Sequence, residues 1–129
     1  MSVGITSKIL KGDTAVNSSV GGRIYSLLAA RGTPKPYIVL YSDGGDPVST
    51  MHEKTTTAYN SIIVACYGSN LTLVKSIAEK VRQALEHYKG TIDGEEVTWI
   101  SWQGPNPEDY DEDLKLAVYE DNYRLTVRL

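Results

Sequence analysis

The side chains with catalytic or metal-binding chemistry are few: His52 and His87, Cys66, and two groups of carboxylates. A zinc-binding helix presents its second ligand three or four residues after the first, and neither histidine has one there. Both read as surface histidines, His52 in a loop and His87 near the end of a helix. Asp43-Gly44-Gly45-Asp46 sets two carboxylates around a pair of glycines. It lacks the alternating oxygen ligands and closing glutamate of a calcium loop, and the Gly-Lys-Ser/Thr of a phosphate loop. The second group, Glu108, Asp109, Asp111, Glu112 and Asp113, has the closely spaced carboxylates that a hard divalent cation takes. No glycine within it lets the chain fold back on an ion, and Gly104-Pro105-Asn106-Pro107 holds its approach extended. A solvated, self-repelling loop is the reading that follows. Cys66 sits among Ile62, Ile63, Val64, Ala65 and Tyr67, which predicts a buried small hydrophobe rather than a reactive thiol. Trp99 and Trp102, three apart on a strand, point to opposite faces and make no stacking platform for bases; at least one belongs to the core.

Catalysis needs a nucleophile with its base and an orienting group, or a metal set. These residues supply neither pattern, so no cofactor is expected. Charge argues against another class. The formal net charge is −3, whereas proteins that bind nucleic acid by neutralising phosphates carry clustered Lys and Arg. The balance is uneven, because removing the five acids between Glu108 and Asp113 would turn −3 into +2. The remainder of the chain is slightly basic.

A length of 129 residues supports one cooperative core without staples, so residues 1–129 are expected to form a single domain. Hydrophobic content of 41% with 22% charged residues is that of a globular chain. The apolar runs Tyr37–Tyr41 and Ile62–Tyr67 are far shorter than the roughly 20 residues that cross a bilayer. Met1-Ser2-Val3-Gly4 lacks the basic patch and apolar run of a secretory signal. A cytoplasmic origin and no membrane contact are the expectations.

Ile5, Ile9 and Leu10 recur at helical spacing, which predicts a short helical region over residues 1–22. Gly12-Asp13 interrupts it, Asp13 is placed to cap a second short helix, and Gly21-Gly22 ends it. Arg23–Leu28 reads as a strand, and Gly32-Thr33-Pro34-Lys35-Pro36 as a turn into the next one. Tyr37–Tyr41 is apolar on both alternating faces, as in a covered, central strand. Residues 42–54, with Gly44-Gly45-Asp46-Pro47, read as a flexible loop that carries contacts, and Thr55–Tyr67 as a long strand. Ser69 or Asn70 caps the clearest element, a helix over about residues 70–89 stopped by Gly90. Val74, Ile77, Ala78, Val81, Ala84, Leu85 and Tyr88 form its single apolar stripe. Thr91–Val97 is a hairpin turning at Asp93-Gly94, and Val97–Trp102 continues it as a strand. Tyr123, Leu125, Val127 and Leu129 alternate with Arg124, Thr126 and Arg128, a half-buried last strand running back to about Leu116. The sum is an α+β domain: a mixed or antiparallel sheet of about four to five strands, packed by one long amphipathic helix and a short N-terminal helical region.

Taken in order, several segments resemble the tail-completion family of long-tailed bacteriophages, the tail-terminator or head-to-tail joining proteins. They are Val20-Gly21-Gly22-Arg23-Ile24-Tyr25, Gly32-Thr33-Pro34-Lys35-Pro36-Tyr37-Ile38-Val39, Val64-Ala65-Cys66-Tyr67, Ala78-Glu79-Lys80-Val81-Arg82-Gln83-Ala84-Leu85 and Tyr88-Lys89-Gly90-Thr91-Ile92-Asp93-Gly94-Glu95, followed by the alternating last strand. The likeness spans almost the whole chain, and the Gly-Thr-Pro-x-Pro-Tyr-Ile-Val turn and strand is its most specific element. It implies a non-enzymatic virion protein of the tail and neck that assembles as a homo-oligomeric, six-fold ring. Such a ring sits on the last tail-tube ring, ends tube growth, meets the head connector or a head-completion protein, and encloses the DNA path without sequence-specific binding. The resemblance carries no catalytic residues and implies no cofactor. Under it, Asp43, Gly44, Gly45, Asp46, His52, Glu53 and Lys54 stand as a loop interface, and Glu108, Asp109, Asp111, Glu112 and Asp113 as a loop facing the lumen or a partner. Rival readings are another neck component, such as a head-completion protein, or a tail-tube subunit. From other classes come a small metal-dependent enzyme built on the acidic loop and a free nucleic-acid-binding regulator, which the acidic balance opposes.

Overall fold

The computed structural model describes residues 2–26, 29, 33–50, 53–92, 94–113 and 115–128. Two helices open the chain, α1 (Ser2–Gly12) and α2 (Thr14–Val20). Asp13 separates them as predicted: its backbone is extended and its Oδ1 accepts the Val16 amide at 3.1 Å, capping α2. Gly21 ends α2 at φ 58°, a conformation that suits glycine. There follow β1 (Ile24–Ser26), β2 (Tyr37–Thr50), β3 (Glu53–Gly68), α3 (Leu71–Leu85), β4 (Gly90–Ile92), β5 (Glu95–Pro105), β6 (Asp109–Asp111) and β7 (Leu116–Arg128).

The strands form one sheet in the order β1-β2-β3-β7-β5-β4, with β6 also paired to β7. Among the described residues only the β1/β2 pair is parallel, so the sheet is mixed. One face meets the helices. Ile38 and Leu40 of β2, Ile62, Val64 and Cys66 of β3, and Tyr123, Leu125 and Val127 of β7 are buried there with Val97 and Ile100 of β5. The opposing stripe of α3 is Val74, Ile77, Ala78, Val81 and Leu85, all buried. Burying each large side chain contributes about 1.5–3 kcal/mol, and this stripe ties α3 to β3, β7 and β5. Asn70 caps α3, its Oδ1 accepting the Leu73 amide at 2.8 Å. Gly68 lets β3 pass beneath that first turn, since a Cβ there would lie 2.8 Å from Val74 Cγ1.

Four expectations need correction. Among the described residues the sheet has seven strands, not four to five. The span read as a loop over residues 42–54 is instead paired strand, in register from Gly45↔Asn60 to Thr50↔Glu53. Its Gly44-Gly45 pair lies at a register shift after Ser42, and Pro47 is tolerated because, among the described residues, β2 has a strand partner on one side only at that point. Helix α3 ends at Leu85 rather than near residue 89. Glu86 is extended, His87 takes φ 66°, and the His87 amide donates to the Ile100 carbonyl at 2.8 Å, so a bond to β5 replaces the next helical turn. The fourth concerns the acidic segment, which folds back on β7 without a glycine, Lys115 adopting the positive φ of 50° that the turn requires. The predicted first strand is observed over Ile24–Ser26, with Leu27 and Leu28 outside the described residues.

Candidate functional site

The residues first considered for chemistry do not converge. Cys66 is fully buried in the helix-facing side of β3, and burial, with the nearby Asp121 charge, pushes its thiol pKa up and away from nucleophilic use. His87 lies past the end of α3, stacked on Trp99 at 4.6 Å between ring centroids, and His52 lies outside the described residues. Among the described residues no three His, Cys, Asp or Glu side chains group as a metal site would require. No helix among them is long and apolar enough to cross a membrane. Asp43, Gly44, Gly45 and Asp46 belong to β2, and Glu53 and Lys54 to the start of β3, so they share one long hairpin. Among the described residues β1 pairs with β2 at Ile38–Leu40, and no strand pairs with the outer edge of β2 from Asp43 to Thr50.

The acidic segment is placed by the way β5 ends. Strand β5 runs beside β7 as far as Pro105↔Asp121, and β6 resumes beside the same edge at Asp109↔Val118. Residues 106–108 therefore interrupt a pairing rather than leave the sheet. Asn106 holds the interruption: its amide N–H donates to the Glu120 carbonyl at 2.8 Å, its Nδ2 to Glu120 Oε1 at 3.2 Å, and its Oδ1 accepts from Asn122 Nδ2 at 2.8 Å. Tyr41 donates its hydroxyl to Glu120 Oε2 from the next strand but one. Beyond this clamp, Glu108 pairs with Lys75 of α3 at 2.5 Å, and that bond holds the Lys75 ammonium pKa above its usual value. Asp109, Tyr110, Asp111, Glu112 and Asp113 form an exposed arm, with Tyr110 43% exposed at its middle.

Near the far end of β7 the face turned away from the helices carries a different surface. Trp99, Thr126 and Tyr59 stand side by side across β5, β7 and β3, and Arg124 and Arg128 flank Thr126 along β7. Both aromatic rings are 39% exposed. The Arg124 guanidinium lies 5.3 Å from the Tyr59 ring, and the Lys89 ammonium 5.1 Å from the Trp99 ring. Trp99 and Trp102 do face opposite ways, as their spacing predicts. Trp102 turns inward, its ring 3.9 Å from the Arg82 guanidinium and its Nε1 donating to Asp121. Sequence reasoning missed Asp121 as a buried carboxylate. The signal was its phase: it shares the alternation of Tyr119, Tyr123 and Leu125, all on the helix-facing side.

The model of the family described as tail completion protein gp17 matches residues 7–128 of the chain. Among solved structures, a chain from the virion of a native gene transfer agent particle superposes with a TM-score of 0.76 at 15% identity, covering 96% of this chain and 92% of that one. A second solved chain, 12% identical, gives a TM-score of 0.53 over 98% of this chain and 93% of its own length. Identities this low bear on the fold. No curated protein matches the sequence.

Proposed function

The chain belongs to the tail completion protein gp17 family, and on that premise we propose that it closes the phage tail tube as a ring of identical subunits. Membership makes it a structural, non-enzymatic component of the virion tail. The finer reading is a six-fold ring seated on the last tube ring, ending tube growth and offering its other face to the head connector or head-completion protein. DNA passes through it without sequence-specific contact.

The observation that carries this reading is the outer edge of β2. From Asp43 to Thr50 no other strand pairs with that side among the described residues, and such an edge is a template for backbone pairing with another chain. Asp43, Gly44, Gly45 and Asp46 lie along it, and Glu53 and Lys54 begin β3 at the far end of the same hairpin, where Glu53 pairs with Thr50. The register shift after Ser42 and the presence of Pro47 restrict what can pair there. That suits a designated partner rather than open-ended aggregation. The net charge of −3 fits a DNA path that does not retain phosphates.

Negative-stain electron microscopy of the purified protein, alone and mixed with tail tubes, tests the reading. Rings, or tube ends bearing one added ring, are the expected images. Growing filaments would point instead to a tube subunit, and bare tube ends with occupied head connectors to a head-completion protein. Hydrogen exchange gives a local check, because amides in residues 43–50 should exchange more slowly once the ring forms.

A further inference from the structure

We propose that the acidic arm of one subunit docks on the arginine-flanked aromatic row of its neighbour, an inference that rests on the ring reading and names the surfaces that meet. The arm presents Asp109, Glu112 and Asp113 around Tyr110. The row presents Arg124 and Arg128 between Trp99 and Tyr59, with Lys89 beside the indole and Glu96 as the acid within 3.7 Å of Arg128. Charge is thus complementary between the two surfaces. The aromatic side chains agree. Tyr59, Trp99 and Tyr110 are the large hydrophobic residues left exposed among the described ones: one is at the centre of the arm and two are in the row. An exposed aromatic anchor set among complementary charges is the composition of an interface centre.

Position decides between contact within a chain and contact between chains. The arm pairs with β7 at Leu116–Val118, and the row crosses β7 at Thr126. At about 3.3 Å per residue, eight residues of strand separate them by roughly 25 Å. The two surfaces cannot meet within one subunit. Between subunits they meet head to tail, using different patches on each copy. A contact of this kind closes into a ring when its rotation divides a full turn and otherwise extends as a filament. The row could also hold a phosphate backbone against its arginines, but the matching arm on the same chain favours a second copy.

The test reverses each surface at exposed positions of the full chain. One variant carries Arg124→Glu with Arg128→Glu, another Glu112→Lys with Asp113→Lys, and a third all four changes. Ring formation is read by light scattering at low salt and by electron microscopy with and without tail tubes, and thermal melts confirm folding. Either pair alone should lower ring yield by at least about tenfold, since like charges facing each other oppose association, and the combined variant should restore rings. Normal rings from either pair, or no recovery in the combination, overturns the inference while leaving the ring reading in place. If the unmodified chain makes neither rings nor capped tubes, the ring reading fails and takes the inference with it. Rings kept by the Arg124→Glu, Arg128→Glu variant together with lost binding to duplex DNA would reassign the row to nucleic acid and overturn arm docking. A chain carrying Trp99→Cys and Tyr110→Cys provides a test without charge reversal. Oxidation should link neighbours into a ladder ending at the ring size, and failure to cross-link between chains likewise overturns the proposal.

Discussion

The Trp102 indole N–H donates to the Asp121 carboxylate at 3.1 Å, beneath helix α3 and 4% exposed to solvent. Burial pushes the Asp121 carboxyl above the usual carboxylate range, and Glu79 adds to that direction, while the Trp102 bond and the Arg82 charge pull against it. The folded chain therefore holds this proton more tightly than the unfolded chain does. Stability from the protonated form is complete below the unfolded value of about 4 and is lost as pH rises through the higher folded value. Asp121→Asn keeps an acceptor for Trp102 and removes the titration. Its melting temperature is expected to exceed that of the parent at pH 7, with the gap narrowing towards pH 4. Calorimetry across this range checks it, and a gap independent of pH would show that Asp121 is not the titrating group.

Two residues along the same strand, the Tyr123 side chain is fully buried and its hydroxyl has no hydrogen-bond partner among the described residues. An orphaned buried hydroxyl bears a desolvation penalty with no bond in return. Tyr123→Phe should stabilise the fold by about 1 kcal/mol. The urea midpoint is expected to rise with an unchanged slope. A lower midpoint would mean that the hydroxyl is bonded in solution.

Gly68→Ala probes the junction of β3 and α3. The new methyl would meet Val74 Cγ1 at 2.8 Å and Leu73 Cδ2 at 3.4 Å, so the helix start must shift. Overpacking of this kind costs about 1–3 kcal/mol. Leu85→Ala, at the other end of the buried stripe, leaves a void and should cost about 2–5 kcal/mol. Denaturant unfolding of both variants compares the ends of α3, and an unchanged midpoint for Gly68→Ala would show that the first turn yields freely.

What could be read from residue order alone was local. The Asp13 and Asn70 caps, the α3 stripe from Val74 to Leu85 and the alternation of β7 are each set by neighbours within a few positions, and each stands where the pattern puts it, while Tyr88, read as the end of the stripe, lies beyond the helix. The errors share a cause: a tertiary partner overrode local propensity. Gly44-Gly45 and Pro47 break strands in isolation, yet β3 supplies a pairing partner for that stretch of β2. Likewise, Ile100 captures the amide of His87 and ends α3 early, and β7 offers a pairing edge to an acidic segment whose composition favours solvent. The aromatic row was invisible for the same reason. Tyr59, Trp99 and Thr126 are distant in sequence and become neighbours only through the order β3-β7-β5.

The arm itself yields the last prediction. Replacing Glu108, Asp109, Asp111, Glu112 and Asp113 with Asn or Gln leaves the core untouched, since all five are exposed. The Lys75 pair lost with Glu108 joins two half-exposed side chains, and exposed ion pairs contribute only about 0–1 kcal/mol. The melting temperature should therefore move little. If the arm docks on the Arg124 and Arg128 row of a neighbour, the neutral variant assembles poorly and tails grow beyond their normal length. If the arm instead faces the lumen, its charge keeps DNA moving, with a reach that screening limits to about 8–10 Å; tails are then normal and DNA ejection is slow. Over-long tails are the expected result, and length measured by electron microscopy on particles from a complemented deletion phage decides between the two.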